Sequence, residues 1–315
     1  MLVCYNNSVE KKYLTGALFI IGLLIVGLIS VQTQNPATTN SDKLKISASF
    51  YPLVFFAEEI GKDKVDVSNI TPAGAEPHDY EPSGRDIANI MNSRLLILNG
   101  LGLEAWGNDV QKNIDQSQTS VITVGDTLVS RQIIENGVNS IDPHVWLSPV
   151  MAEQIVDSIT RAMISADSKD EIVFISNASS LKMRLSELDQ EYRAGLRNCT
   201  QKNIITSHAA FGYVGNNYGF GQQSIAGLSP DSEPSTRQMA DITNYAKSNN
   251  VRYIFFESLV NPKLSQAVAS ETGAQILVLN PLEGLTPADI REQKDYFSEM
   301  RSNLTNLTLA LECKR

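Results

Sequence analysis

Histidine is scarce in this chain of 315 residues, which holds three. Two of them sit in the same local setting. Residues 76–80 read Glu76-Pro77-His78-Asp79-Tyr80 and residues 142–146 read Asp142-Pro143-His144-Val145-Trp146, so each histidine follows an acid and a proline and precedes an aromatic by two. The third, His208, closes the stretch NIITSH. A neutral imidazole binds Zn²⁺ through one ring nitrogen at about 2.0–2.1 Å. A proline just before the ligand stiffens the backbone that carries it. A nearby carboxylate can ligate as well, or accept a hydrogen bond from the far ring nitrogen and fix the tautomer. The chemistry these residues suit is capture of a divalent cation by converging imidazoles. The plain alternative is three histidines that each satisfy a separate turn. There is no HExxH, no CxxC pair and no histidine-rich stretch.

Convergence requires elements that place all three together. From residue 44 onward short apolar runs alternate with helical patterns. Strands are expected at 44–50, 65–70, 95–99 and 121–124, with helices at 51–60, 83–92, 103–114 and 148–166. One long helical pattern follows at 169–197, where Ala178, Leu181, Leu185, Leu188, Tyr192 and Leu196 form a single apolar stripe. Strands then return at 203–207, 253–257 and 275–279, with helices at 235–249, 263–272 and 286–312. The order is α/β, long helix, α/β, and strands alternating with helices imply mainly parallel sheets. Each histidine follows a strand. Ligands of open α/β sheets bind beyond the carboxyl ends of the strands, so a site between two such units is expected.

The N-terminus points to export. Residues 1–12 carry Lys11 and Lys12, and an apolar run follows at 13–31. That run is close to the ~20 residues needed to span a bilayer, and the lysines place its start in the cytoplasm. It reads as a membrane anchor or an uncleaved signal, with the main body outside the cytoplasm, or secreted or periplasmic if cleaved. Residues 32–43 are polar and aperiodic, as in a flexible linker. Asn-x-Ser/Thr tripeptides at Asn69, Asn177, Asn198, Asn303 and Asn306 fit that location. Cys199 and Cys313, the two cysteines beyond the apolar run, form a candidate disulfide in an oxidising compartment. The net charge of −9 argues against a nucleic-acid partner.

The stretches PAGAEPHDYEPSGRDI (72–87), DPHVWLSP (142–149), TSHAAFGYVGNNYGF (206–220), LSPDSEPSTRQM (228–239) and FFESLVNPKLSQAVASETGAQILVLNPL (255–282) occur in this order across nearly all of 44–315. Together they resemble the metal-binding solute-binding proteins of zinc/manganese-type ABC importers. The resemblance implies two α/β domains, 44–168 and 198–315, joined by one long rigid α-helix at 169–197, with the metal between them. It implies His78, His144 and His208 as metal ligands. A histidine in the third position points to Zn²⁺ rather than Mn²⁺, in keeping with the softness of three imidazoles. The family's fourth ligand is an aspartate in a strand–Asp–Pro–Leu segment, and here that segment is VLNPL with Asn280. Asn280, Glu257 and Glu76 are therefore the candidates for a fourth ligand or for a supporting role behind the ligands. On this reading Asn280→Asp would tighten zinc binding. Residues 125–141 lack histidine, so no accessory metal-gathering loop is expected.

The expected partners are an ABC importer permease and its cytoplasmic ATPase, with the membrane reached through the N-terminal segment and the protein itself a monomer. A manganese- or iron-binding importer component is the nearest alternative, and a metal-binding surface adhesion protein the next. A zinc hydrolase is the remote one, because three histidines with an open fourth position would suit it. The chain is otherwise expected not to be an enzyme.

Overall fold

The computed structural model describes Met1, residues 43–135 and residues 138–314. The apolar run at 13–31 and the linker at 32–43 lie outside these, apart from Lys43. Among the described residues no helix is long and apolar enough to cross a membrane.

The first half of the fold runs β1 (Leu44–Ala48), α1 (Tyr51–Gly61), β2 (Val65–Asn69), α2 (Gly84–Met91), β3 (Leu95–Leu98), α3 (Gly107–Asn113), β4 (Ser120–Thr123), β5 (Gln132–Glu135), β6 (Val138–Ile141) and α4 (Pro149–Ala166). After α5 (Glu171–Gly195), the second half runs β7 (Asn203–Thr206), α6 (Gly212–Tyr218), β8 (Gly221–Ser224), α7 (Thr236–Ser248), β9 (Tyr253–Phe256), α8 (Lys263–Thr272), β10 (Gln275–Val278), α9 (Pro287–Arg291) and α10 (Tyr296–Ala310). One sheet has the order β2-β1-β3-β4 and the other β10-β9-β7-β8. Every pairing within both is parallel. Each sheet therefore has a point where the strand order reverses, at β1/β3 and at β7/β9. Crevices at the carboxyl ends of strands beside such points are where α/β sheets bind ligands.

Local chemistry explains the boundaries. Ser83 with Asp86 and Ser235 with Gln238 form capping boxes that start α2 and α7. The Ser148 hydroxyl accepts from Met151 N–H and Pro149 follows it, which starts α4. The stripe on α5 is buried at Phe174, Ala178, Leu181, Leu185, Leu188 and Tyr192. It packs against α4, α1 and α10. The Tyr192 hydroxyl donates to the Met300 carbonyl (2.7 Å), and Phe55 stacks on Tyr296 with ring centres 5.7 Å apart. The apolar core is thus continuous from β1 through α5 to α10.

The short helix α6, the strand β8 and the β5–β6 hairpin went beyond the expected pattern. β8 (GQQS) is a polar edge strand with no apolar run to announce it. The β5–β6 hairpin did carry a signal, since Asn136-Gly137 between two short strands is a hairpin sequence. Of the five glycosylation tripeptides, three have asparagine amides that hold the fold. Asn177, Asn303 and Asn306 donate to the carbonyls of Ile60, Asn280 and Val278.

Cys199 and Cys313 are joined in a disulfide across 114 residues, tying the end of α5 to the end of α10. Beside it Lys314 N–H donates to the Asn198 carbonyl (3.0 Å). Closing so long a loop restricts the unfolded chain. Replacing both cysteines with serine is expected to lower stability by about 2–5 kcal/mol, read as a lower denaturant midpoint.

Candidate metal centre

His78 lies in the loop after β2. Gly74, at φ +84°, lets this loop turn, and its N–H donates to the Leu285 carbonyl (3.1 Å). His144 lies just after the hairpin, and His208 two residues after β7. The structure brings the three rings together and adds a residue that sequence reasoning missed, Glu283.

The three Nε2 atoms and one carboxylate oxygen face a common point. His144 Nε2 is 3.3 Å from His78 Nε2 and 3.1 Å from His208 Nε2. Glu283 Oε1 is 3.3, 3.1 and 3.3 Å from the Nε2 atoms of His78, His144 and His208. Five of the six edges of this tetrahedron are thus 3.1–3.3 Å. Ligands at ~2.0–2.1 Å from a tetrahedral zinc ion stand ~3.3–3.4 Å apart, so the donor set is spaced for that ion. The side chains of His144, His208 and Glu283 are 0% exposed and that of His78 is 8% exposed. Access is therefore past His78. Glu283 Oε2 is buried and has no hydrogen-bond partner among the described residues, which leaves it free for a cation.

Two carboxylates orient two of the rings in the same way. Asp142 Oδ1 accepts the backbone N–H of His144 (3.1 Å) and lies 2.8 Å from its Nδ1. Glu257 Oε1 accepts the backbone N–H of His208 (3.1 Å), and its Oε2 lies 2.6 Å from that ring's Nδ1. A carboxylate that only accepts puts the ring proton on Nδ1 and the lone pair on Nε2, toward the ion. Glu257 therefore stands behind the His208 ring and is not part of the cluster of His78, His144, His208 and Glu283. His78 Nδ1 makes no such bond among the described residues.

Burial and close carboxylates shift the protonation of the site's groups. Burial opposes charge on Glu283, yet His208 and hydrogen bonds from all three rings hold its carboxyl well below the usual range. Burial likewise opposes charge on His208, but Glu257 and Glu283 hold its proton affinity well above normal. His144 is raised too, since burial is outweighed by its bonds to Asp142 and Glu283. For His78 burial wins and the shift is downward. Glu76 is half-buried, and its Oε1 accepts His78 N–H (3.4 Å). Burial and then repulsion from Glu283 push its carboxyl up to about 10.

Asn280 does not face the ion position. Its Nδ2 donates to Glu299 (2.8 Å), its Oδ1 accepts from Leu282 N–H (2.9 Å), and its backbone N–H and carbonyl bond the Asn303 side chain. It builds the turn, with Leu282 at φ +55°, that aims Glu283 at the histidines. The signal for Glu283 was present: an acid in the loop after a sheet strand, as for the three histidines. The expectation for Asn280→Asp is reversed. The new carboxylate would meet Glu299 in a buried place and lose a donor. The substitution is expected to lower stability by about 1–3 kcal/mol without tightening zinc binding, as thermal unfolding and zinc titration of the variant will report.

A family model described as zinc-uptake complex component A, periplasmic, matches residues 46–310. The high-affinity zinc uptake system protein ZnuA of Bacillus subtilis (strain 168) is 36% identical over 318 residues, covering 96% of this chain and 99% of that protein. The zinc-binding protein AdcA of Streptococcus pyogenes serotype M6 is 34% identical over 315 residues, and the match covers 92% of this chain but 61% of that longer protein. Among solved structures, the Zn(II)-bound ZnuA-like domain of Streptococcus pneumoniae AdcA is 34% identical at a TM-score of 0.76, covering 86% of this chain and 99% of that one. With the match running through nearly the whole of the described fold, this chain belongs to the zinc-uptake complex component A family.

Proposed function

We propose that this protein captures Zn²⁺ outside the cytoplasm and hands it to an ABC importer permease driven by a cytoplasmic ATPase. The observation that carries the reading is the tetrahedron of His78, His144, His208 and Glu283, with three nitrogens and one oxygen at zinc spacing. Manganese favours more oxygen ligands than such a set provides. A catalytic zinc keeps its fourth position open for water, and here Glu283 occupies that corner, which disfavours the hydrolase alternative. Residues 44–168 and 198–315 act as two lobes around the ion, with 169–197 as the connecting helix. Export is supported by the disulfide, which suits an oxidising compartment, and by the apolar run at 13–31 as anchor or signal.

Calorimetric titration of the metal-free full-length chain at neutral pH is expected to give one tight zinc site and much weaker manganese binding. Absence of tight zinc binding would overturn the reading. Alanine at His78, His144 or His208, or glutamine at Glu283, is expected to weaken zinc binding by orders of magnitude. An unchanged affinity removes that residue from the ligand set. Binding releases protons from imidazoles, and neighbouring carboxylates hold those of His208 and His144 above the ordinary range, so affinity is expected to fall already as pH drops from neutral through the ordinary imidazole range. The same titration at pH 5 checks this.

A further inference from the structure

The carboxylate that orients His144 is itself held from two directions, one of them the second half of the fold. Asp142 and Arg131 are partners at the base of the β5–β6 hairpin, where Asp142 N–H donates to the Arg131 carbonyl (2.8 Å). The Arg131 guanidinium donates to Asp142 Oδ2 (3.0 Å), leaving Oδ1 for His144. The Asp142 side chain is 0% exposed and that of Arg131 is 31% exposed. The start of α6, just after His208, closes on this pair. The Tyr213 hydroxyl accepts Arg131 N–H (2.7 Å) and donates to the Asp142 carbonyl (2.9 Å). Gly212 sits so close that an added Cβ would overlap the guanidinium and come within 2.8 Å of Asp142 Oδ2.

We infer that Arg131 is a positioning residue for zinc, acting through Asp142 on His144, and that Gly212-Tyr213 locks this pair from the half that carries His208. A buried carboxylate with a free oxygen could turn away from the ring it orients. The guanidinium occupies that second oxygen in fixed geometry. The lock also ties two ligands to each other. The segment that carries His208 bears on the residue that aims His144, so neither ring can withdraw alone.

The inference rests on the zinc reading, and the test separates the two. Zinc affinity is measured on the full-length chain for wild type, Arg131→Gln, Asp142→Asn and the double variant. If wild type binds no zinc, the zinc reading fails and the inference with it. If wild type binds, Arg131→Gln is expected to weaken zinc binding about tenfold, in the range for supporting partners of metal ligands. It should add less than about twofold in the Asp142→Asn background, because it acts through that residue. Gly212→Ala keeps both charges and pushes the guanidinium aside, so a similar loss is expected, and it stands in should Arg131→Gln fail to fold. Arg131→Lys should recover part of the affinity. Unchanged affinity in both Arg131→Gln and Gly212→Ala, or a full additive loss in the double variant, would overturn the inference, since an arginine that merely closes the hairpin would give one or the other.

Discussion

Three imidazole nitrogens and a carboxylate oxygen are held 3.1–3.3 Å apart in a nearly sealed place. Left alone, such a group disperses, because lone pairs and negative charge repel when no cation or proton lies between them. The fold around the site is what opposes this. Each of these four groups comes from a different loop, and each loop is held by hydrogen bonds. The His78 loop bonds the Leu285 carbonyl through Gly74. The Glu283 loop is fixed by Asn280, Asn303 and Glu299. His144 and His208 are held at backbone and ring by Asp142 and Glu257. In the Glu283 loop the backbone is left-handed at Leu282, next to Glu283.

The surrounding core limits how the site can change shape. α5 buries one face along its length, and the helices that cover it come from both ends of the sequence. Trp146, two residues from His144, donates its indole N–H to the Pro281 carbonyl (2.8 Å), and the Tyr296 hydroxyl donates to the Trp146 carbonyl (2.6 Å). A wide hinge motion would have to break these buried bonds and part a continuous apolar core, whereas packed interiors yield in small discrete steps. His78 stands apart. It is the most exposed of the four groups, and among the described residues no carboxylate stands behind its ring.

Much of this was legible in the sequence. The alternation of strands and helices was plain because buried parallel strands are apolar runs, and the three histidines stood out through scarcity and a repeated acid-Pro-His setting. Glu257 was legible as one of several acids, but not its task, which depends on β9 lying beside β7. Glu283 was missed because the VLNPL segment drew attention to Asn280, and only the turn that Asn280 makes shows which neighbour faces inward. β8 was missed because a short polar strand is defined by its partner and not by its own hydrophobicity, whereas the Asn136-Gly137 hairpin signal was present and went unread. Arg131 was invisible, since its role exists only through contacts with residues 142, 212 and 213.

The charge balance shows why the fourth corner must be an acid. Three neutral imidazoles would leave a dication with its full charge in a buried place, which is costly. Glu283 and Glu257 together offset that charge, while Asp142 is offset by Arg131. With zinc present the assembly is close to neutral, and without it the same carboxylates draw protons onto His208 and His144. Zinc and protons thus compete for one negative field, in which the imidazoles supply coordination and the carboxylates supply the charge. How firmly those carboxylates are held therefore depends on residues outside the cluster, Asn280 and Asn303 behind Glu283 and Arg131 behind Asp142.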